Sequence, residues 1–395
     1  MSRDLLVAGG GIAGLAAALA AVRAGWMARV FEQAPHFSEV GAGLQLGPNA
    51  TRVLRAWDVL PLVKDIACAP RRLVTRDALT GREIASLPLG TDFERRYGAP
   101  YLTMHRADLH GALLQAVGGL EVGLHPGVRI AGFLEEGAAV GLRLDGREAP
   151  QADALAACDG LWSVARQQLL GDGPARPSDH VAYRGLATLA DLPAPWQAGA
   201  GGGEVTAWLG PRLHAVTYPV RGGAVLNVVC VVQQSVDGER FGWDLPGTVD
   251  RLRAAMGPAC ARLQEALQAV PSWGLWVLHD RDPVAGAHQM ALGRVALLGD
   301  AAHPMRPYLA QGAAMALEDA FELGRSLQAV TDRVLDVPDA LQRYALGRWQ
   351  RVARVQRRAL RNGTIFHATG PVRLARDLAL RGLGARLMDQ PWLYG

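Results

Sequence analysis

The chain has 395 residues, enough for two or three domains of ordinary size, and its content of 50% hydrophobic and 20% charged residues excludes wholesale disorder. Its net charge is +4 with a pI of about 9.1. Yet Lys64 is the single Lys among 41 basic residues, and no clustered aromatic-plus-basic signature accompanies them, so a nucleic-acid partner is excluded.

The first residues read as strand, tight turn, helix, strand. Asp4–Ala8 is a short apolar run, Gly9–Gly14 the turn, Leu15–Ala24 a helical repeat stopped by Gly25, and Ala28–Glu32 the next strand. Leu5–Ala24 has the composition of a signal-peptide core. It lacks a basic leader beyond Arg3, starts at Asp4 and is broken by four glycines, so a targeting segment is not expected. Asn49 is placed to cap a second helix. Residues 71–100 read as strand-like with Gly and Pro punctuation, Ala107–Val117 as a helix, and 120–158 as a β-meander. A helix follows Gly160. Four runs of alternating or apolar residues between Val181 and Gln233 predict a separate sheet, followed by a helix over Thr248–Ala269. Arg294–Gly299 reads as a buried strand, Gln311–Val330 as a helix, and the tail after Pro338 as largely helical. No stretch reaches the ~18 uninterrupted apolar residues of a membrane span. Cys68, Cys158, Cys230 and Cys260 form no C-x-x-C pair, which predicts neither a metal site nor disulfides and makes a reducing, cytoplasmic setting the default.

Three motifs carry chemistry. Gly9-x-Gly11-x-x-Gly14 lies between strand and helix, and Glu32 ends the next strand 18 residues past Gly14. Glycines there let backbone amides approach a pyrophosphate at a helix start, and a carboxylate at that distance accepts from ribose hydroxyls. Asp159-Gly160 closes a second strand, with Ser163 and Arg166 on the following helix. Gly299-Asp300-Ala301-Ala302-His303-Pro304 closes a third, placing Asp300 to bind a ribityl or ribose hydroxyl. The chain then turns through Pro307 to Gln311-Gly312 and opens a helix whose start stabilises negative charge. Taken alone, the second and third motifs also read as a capping Asp and a loop His.

The three motifs in this order resemble the single-component FAD-dependent aromatic hydroxylases, the family typified by p-hydroxybenzoate hydroxylase. Gly41-Ala42-Gly43, Pro48-Asn49 and His105-Arg106-Ala107-Asp108-Leu109 resemble further flavin contacts of that family. The local sequence resembles its salicylate, 3-hydroxybenzoate and 6-hydroxynicotinate branch. The resemblance implies an α/β fold: a discontinuous Rossmann-like FAD-binding domain (1–72, 100–180 and 280–340), an inserted substrate-binding β-sheet domain (73–99 and 181–279), and a helical region over 341–395. It implies FAD bound through Gly9, Gly11, Ile12, Ala13, Gly14, Glu32 and Gln33, then Gly43, Leu44 and Arg106, then Asp159, Arg166 and Asp300, then Pro307, Gln311, Gly312 and Ala313. The resemblance also implies NAD(P)H, with NADH favoured, as a transient co-substrate, and the absence of a second G-x-G-x-x-G agrees with that. The implied reaction passes through a C4a-hydroperoxyflavin that transfers an electrophilic OH to a small hydroxybenzoate- or hydroxypyridine-like ring. O₂ is the other substrate, and a homodimer fits the family.

A phenol attacks best as phenolate, so a base should face its hydroxyl. His214 and Tyr218 lie four apart on one strand and share a face; they are the candidate base and relay. Arg184 is the candidate partner for a substrate carboxylate, Gln45 lines the pocket, and Pro307 and Tyr308 are expected beside the flavin ring. Where the 3-hydroxybenzoate enzymes carry a polar residue this chain has Pro307, which counts against that substrate. His303 reads as shaping the flavin loop. Two other readings stay open: a same-fold epoxidase or reductase for an isoprenoid or quinone, with Trp208, Trp243, Trp273 and Trp276 lining an apolar pocket, and a non-catalytic FAD redox sensor.

The basic charge is local. Residues 341–395 hold eleven Arg against Asp377 and Asp389, so the tail carries +9 and the first 340 residues −5. Arg351, Arg354, Arg358 and Arg361 share one helix face, which predicts an ion-paired or solvated face packed on an acidic body; a dimer contact, a membrane-surface patch and steering of anionic NAD(P)H and carboxylate substrates stay open.

Overall fold

The computed structural model describes residues 3–38, 41–144, 150–200, 203–234, 245–246 and 249–395. Leu5–Ala8 and Ala154–Ala157 are fully buried apolar runs, as strands covered on both faces require. They form the centre of a six-stranded sheet, in the order Ala291–Leu292, Val295–Leu297, Ala154–Ala157, Arg3–Ala8, Trp26–Glu32, Val122–Pro126. All pairs are parallel except the hairpin at the 291 edge. The helix Ile12–Arg23 packs against it, and the helix Gly312–Thr331 packs on that helix. Gly324 allows this approach, since a Cβ there would meet Ala20 at 3.0 Å.

An eight-stranded sheet stands apart, in the order 245–246, 274–280, 176–188, 225–233, 213–220, 204–210, 72–77, 83–88. Its pairs are antiparallel, save Glu204–Gly210 beside Arg72–Asp77. The period-two rule divides its faces. Leu213 and Ala215, opposite Val232 and Cys230, belong to a core closed by Leu263, Leu267 and Trp273. His214, Val216 and Tyr218, opposite Val231, Val229 and Asn227, face the other way.

Several local expectations change. Thr91–Tyr97 is a helix inside the region read as strand-like, started by Gly90 and stopped at left-handed Gly98. The helix expected over 248–269 is two, Val249–Ala255 and Ala261–Gln268, parted around Gly257-Pro258, where proline cannot continue a helix. Thr248 lies outside the described residues. Asn49 does not cap; Gly47 precedes Pro48 at the helix start, and the Asn49 amide donates instead to Gln311 and Glu318.

The tail opens with the 30-residue helix Val337–Phe366, capped by Asp336. Its arginines divide by partner. Arg348 bonds Asp319 at 2.8 Å and Glu318 at 2.6 Å, Arg351 bonds both Glu318 oxygens, and Arg354 lies over the Trp392 ring. Arg52 donates to the Tyr394 carbonyl, holding the chain end against Phe93, Tyr97 and Tyr101. Among the described residues, no helix is long and apolar enough to cross a membrane.

Arg348 is buried with its two carboxylate partners. Arg348→Ala leaves both carboxylates short of a cation and should cost about 3–5 kcal/mol. Exposed Arg343 should cost under about 0.5 kcal/mol when replaced by Ala. Urea unfolding midpoints of the two variants check the difference.

Candidate active site

The first strand ends in Gly9–Gly11 and the helix begins at Ile12 with Gly11 as N-cap and no side-chain cap bond. Its first amides are therefore left for an anion. Gly14 does not touch the groove; it makes the turn tight, because a Cβ there would lie 1.9 Å from the Gly9 carbonyl oxygen. Glu32 ends the second strand and lines the same groove, its Oε2 accepting from the Gly10 amide at 2.7 Å and its Oε1 from Ala34. The groove is a cleft of about 800 Å³, lined also by Gln33, Phe37, Arg106, Asp159 and Asp300. Burial pushes the Asp300 carboxyl above its usual range, against the pull of Arg106, His303 and Arg184.

The cleft continues into a chamber of about 270 Å³. One wall is Ile12, Ala13, Gly43, Leu44 and Gln45; another is Pro307 and Gln311–Ala313. The helix Gly312–Thr331 starts here, again without a side-chain cap. The opposite wall is the free face of the eight-stranded sheet: His214, Val216, Tyr218, Val229 and Val231. Gly43 lets the two walls meet, since a Cβ there would strike the Tyr218 ring at 2.5 Å. Its amide donates to Asn227 at 2.7 Å. Arg184 enters from the side with its guanidinium carbon 3.0 Å from the Trp276 ring centroid.

His214 and Tyr218 thus share the chamber wall, with polar partners behind them. Gln45 accepts from the Tyr101 hydroxyl at 2.6 Å and bonds the Tyr218 hydroxyl. Burial pushes the Tyr218 phenol up and the His214 imidazole well down, His367 and His180 adding to the latter. His214 is therefore neutral at pH 7, able to accept a proton.

Two expected contacts are replaced. Tyr308 is not on the chamber wall; it is 3% exposed and packs beneath His214, His180 and His367, with ring centroids 5.2–6.0 Å away. The chain turns between Pro307 and Tyr308, so only the proline faces inward. Arg166 is buried on Asp172 and the carbonyls of Ala301 and Ala302, tying its helix to the Gly299 turn rather than facing the cleft. Asp159 both lines the cleft and accepts from Ser163 and Ala165, so the capping reading also describes it. His303 bonds Asp319 at 2.5 Å behind the turn. Trp208 and Trp273 lie in the core beneath the sheet, which removes two walls of the apolar pocket drawn for an isoprenoid or quinone; Trp243 is outside the described residues. Sequence reading missed Arg306, Met305 and Leu278 on the chamber wall, and His367 and His180 behind it. The hint for His367 was its place as the residue closing a long helix, directly after Phe366.

Two uncapped helix starts face one continuous cavity, with carboxylates at Glu32 and Asp300 along it. That donor set fits an extended dinucleotide: amides for the pyrophosphate, carboxylates for ribose and ribityl hydroxyls. The family model described as FAD binding domain matches residues 2–359. The chain belongs to that family. It is 37% identical to the 3-hydroxybenzoate 6-hydroxylase of Polaromonas naphthalenivorans (strain CJ2), over 99% of this chain and 95% of the relative. It is 33% identical to the 6-hydroxynicotinate 3-monooxygenase of Bordetella bronchiseptica, over 89% of each. A salicylate hydroxylase substrate complex superposes with a TM-score of 0.83 at 26% identity, over all of this chain and 95% of the other. The protein is an FAD-dependent enzyme of the aromatic monooxygenase class.

Burial lowers the imidazoles of His214, His367 and His180, His367 to about 3. In the unfolded chain they titrate near pH ~6.5. Neutral burial therefore stabilises the fold fully above that pH, and the contribution is lost as pH falls through the folded values. The melting temperature should decline from about pH 6.5 downward, and less steeply in His367→Leu. Thermal melts of both proteins across this range decide it; equal slopes would place the acid sensitivity elsewhere.

Proposed function

We propose that the protein is an NAD(P)H- and O₂-consuming monooxygenase that hydroxylates a small phenol or hydroxypyridine bearing a carboxylate. The observation that carries this reading is the chamber wall: a neutral imidazole and a buried phenol four residues apart, with a guanidinium beside them. The substrates named for the relatives, 3-hydroxybenzoate and 6-hydroxynicotinate, each carry a ring hydroxyl and a carboxylate. An apolar cavity of roughly 150 Å³ accepts benzene, so the chamber's 270 Å³ suits one substituted ring.

When bound, FAD supplies the redox chemistry, with NAD(P)H as reductant, O₂ as oxidant and an electrophilic oxygen for the ring. The chain's own residues do the rest. His214 accepts the ring-hydroxyl proton, raising the electron density of the carbon to be attacked. Tyr218, held protonated by burial, donates a hydrogen bond to the resulting oxyanion, with Gln45 and Tyr101 orienting it. Arg184 pairs with the carboxylate and fixes which ring position faces the flavin edge. Val216, Val229 and Val231 exclude water from that edge. The open helix start at Gly312 stabilises negative charge developing near it.

The test is an assay of the holoenzyme with hydroxybenzoates, hydroxypyridines and quinolones, following NADH oxidation, peroxide and product mass together. A productive substrate speeds NADH oxidation and yields a product heavier by one oxygen, with little peroxide. Arg184→Met should raise KM for a carboxylated substrate about 10- to 100-fold, the worth of a lost charge-assisted bond. His214→Gln should lower coupled turnover about 100-fold or more and flatten its acid limb. A bound flavin whose NADH oxidation no ring accelerates would instead favour the redox-sensor reading.

A further inference from the structure

Behind the chamber wall, three histidines form a continuous hydrogen-bonded row. His214 Nδ1 lies 2.7 Å from His367 Nε2, and His367 Nδ1 lies 3.0 Å from His180 Nε2. His180 Nδ1 then lies 2.7 Å from Asp179 Oδ1. They come from different elements: a central strand, the residue closing the long tail helix, and the irregular start of strand Arg176–Thr188, whose pairing shifts register between Pro177 and Val181. His214, His367 and His180 are all buried, whereas the Asp179 side chain is 56% exposed. The row therefore joins the chamber wall to solvent.

We infer that His214, His367 and His180 form a directional proton wire that carries the substrate's ring-hydroxyl proton from the chamber to Asp179 at the surface. The inference rests on His214 as the base. The end groups set the direction. Two groups approach His180 Nδ1, and the ionised Asp179, which only accepts, is nearer at 2.7 Å than the Arg306 guanidinium at 3.3 Å, so His180 carries its proton on Nδ1 and offers Nε2 as a lone pair. His367 then donates from Nδ1 and accepts at Nε2, and His214 donates from Nδ1. That leaves His214 Nε2 as the unprotonated nitrogen for the chamber it lines.

The transfer balances bond by bond. The substrate O–H breaks as an N–H forms on His214 Nε2. The Nδ1–H of each imidazole breaks in turn, an Nε2–H forms on His367 and on His180, and an O–H forms on Asp179, which passes the proton to water. No ring need hold a charge longer than the hop, which is what their burial requires. Arg306 completes the arrangement. Its Nη1 is 3.3 Å from His180 Nδ1 while its Nε is held by Asp280. Once His180 Nδ1 has given up its proton, that nitrogen accepts from Arg306. The other groups facing the row are the Tyr308 and Phe366 rings on His214, Gln233 bonded to Asp179, and Arg376, which donates to the Ile365 and Phe366 carbonyls beside His367.

Two measurements on the FAD holoenzyme test the wire. The first needs no substrate: long-range proton–nitrogen NMR of histidine-labelled protein near neutral pH should give Nδ1–H tautomers for His214, His367 and His180. Nε2–H at His214 or His367 overturns the inference. The second is stopped-flow with a pH-indicator dye, mixing oxidised holoenzyme with 3-hydroxybenzoate or 6-hydroxynicotinate. Binding should release a proton, and His367→Leu or His180→Leu should slow release by about tenfold or more with little change in ligand affinity. Added imidazole should restore the rate in His367→Ala, a rescue that a packing role would not give. Unchanged release rates in variants that keep their FAD overturn the wire. If neither acid binds the wild type, the substrate reading fails, and the tautomers alone decide the wire.

Discussion

Asp319 is fully buried, and three donors converge on it: the Gly299 amide at 3.0 Å, His303 at 2.5 Å and Arg348 at 2.8 Å. Burial alone would push this carboxyl up; His303 and Arg348 outweigh it and hold the group below its usual range. The geometry of the cavity depends on this one anion. It sits on the helix Gly312–Thr331, takes its cation from the helix Val337–Phe366, and fixes the turn after the strand Val295–Leu297. That turn presents Asp300 to the cleft on one side, and the chain runs on to Pro307 on the other. A charge so deep is costly unless fully bonded. The same cost favours this one arrangement of the elements, because losing any of the three bonds leaves a buried charge less compensated.

The fold was legible where one local rule decides the outcome. The dinucleotide turn was readable because close backbone approach admits only glycine, as the 1.9 Å contact facing Gly14 shows. The orientation of His214 with Tyr218 was readable because a strand has period two, and both line the chamber. Where two rules compete, the sequence misleads. Gly and Pro around residues 90 and 98 suggested strand ends, yet here they delimit a short helix. Arg166 and Tyr308 belong to motifs that surround the cofactor, but a motif fixes backbone position, not side-chain direction. Tertiary partners, the Ala301 and Ala302 carbonyls for one and the histidine rings for the other, turned both away.

The histidine row was beyond sequence reading for a different reason. His180 and His367 are 187 residues apart, and His214 and His367 are 153 apart. No periodicity connects such positions; only the docking of the tail helix against the sheet does. The arginine-rich tail was read correctly in sign and incompletely in role. Its charges neutralise specific buried carboxylates, Glu318 through Arg348 and Arg351, and Asp77 through Arg373. The basic pI is the remainder of a packing arrangement.

That arrangement ties the tail to the chemistry. Arg348 and His367 sit on or at the end of one helix, Arg348 near its first third and His367 closing it. The first anchors the helix to the loop that shapes the flavin side of the cavity; the second places an imidazole against the base on the substrate side. A helix spanning both ends couples their positions at a rise of about 1.5 Å per residue, so a shift at the Asp319 anchor would move His367 relative to His214. The 2.7 Å contact between those rings tolerates little reorientation, because a hydrogen bond weakens steeply as it bends below about 120°. The buried anion therefore governs both sides of the chamber, one by direct bonds and the other through the length of the helix.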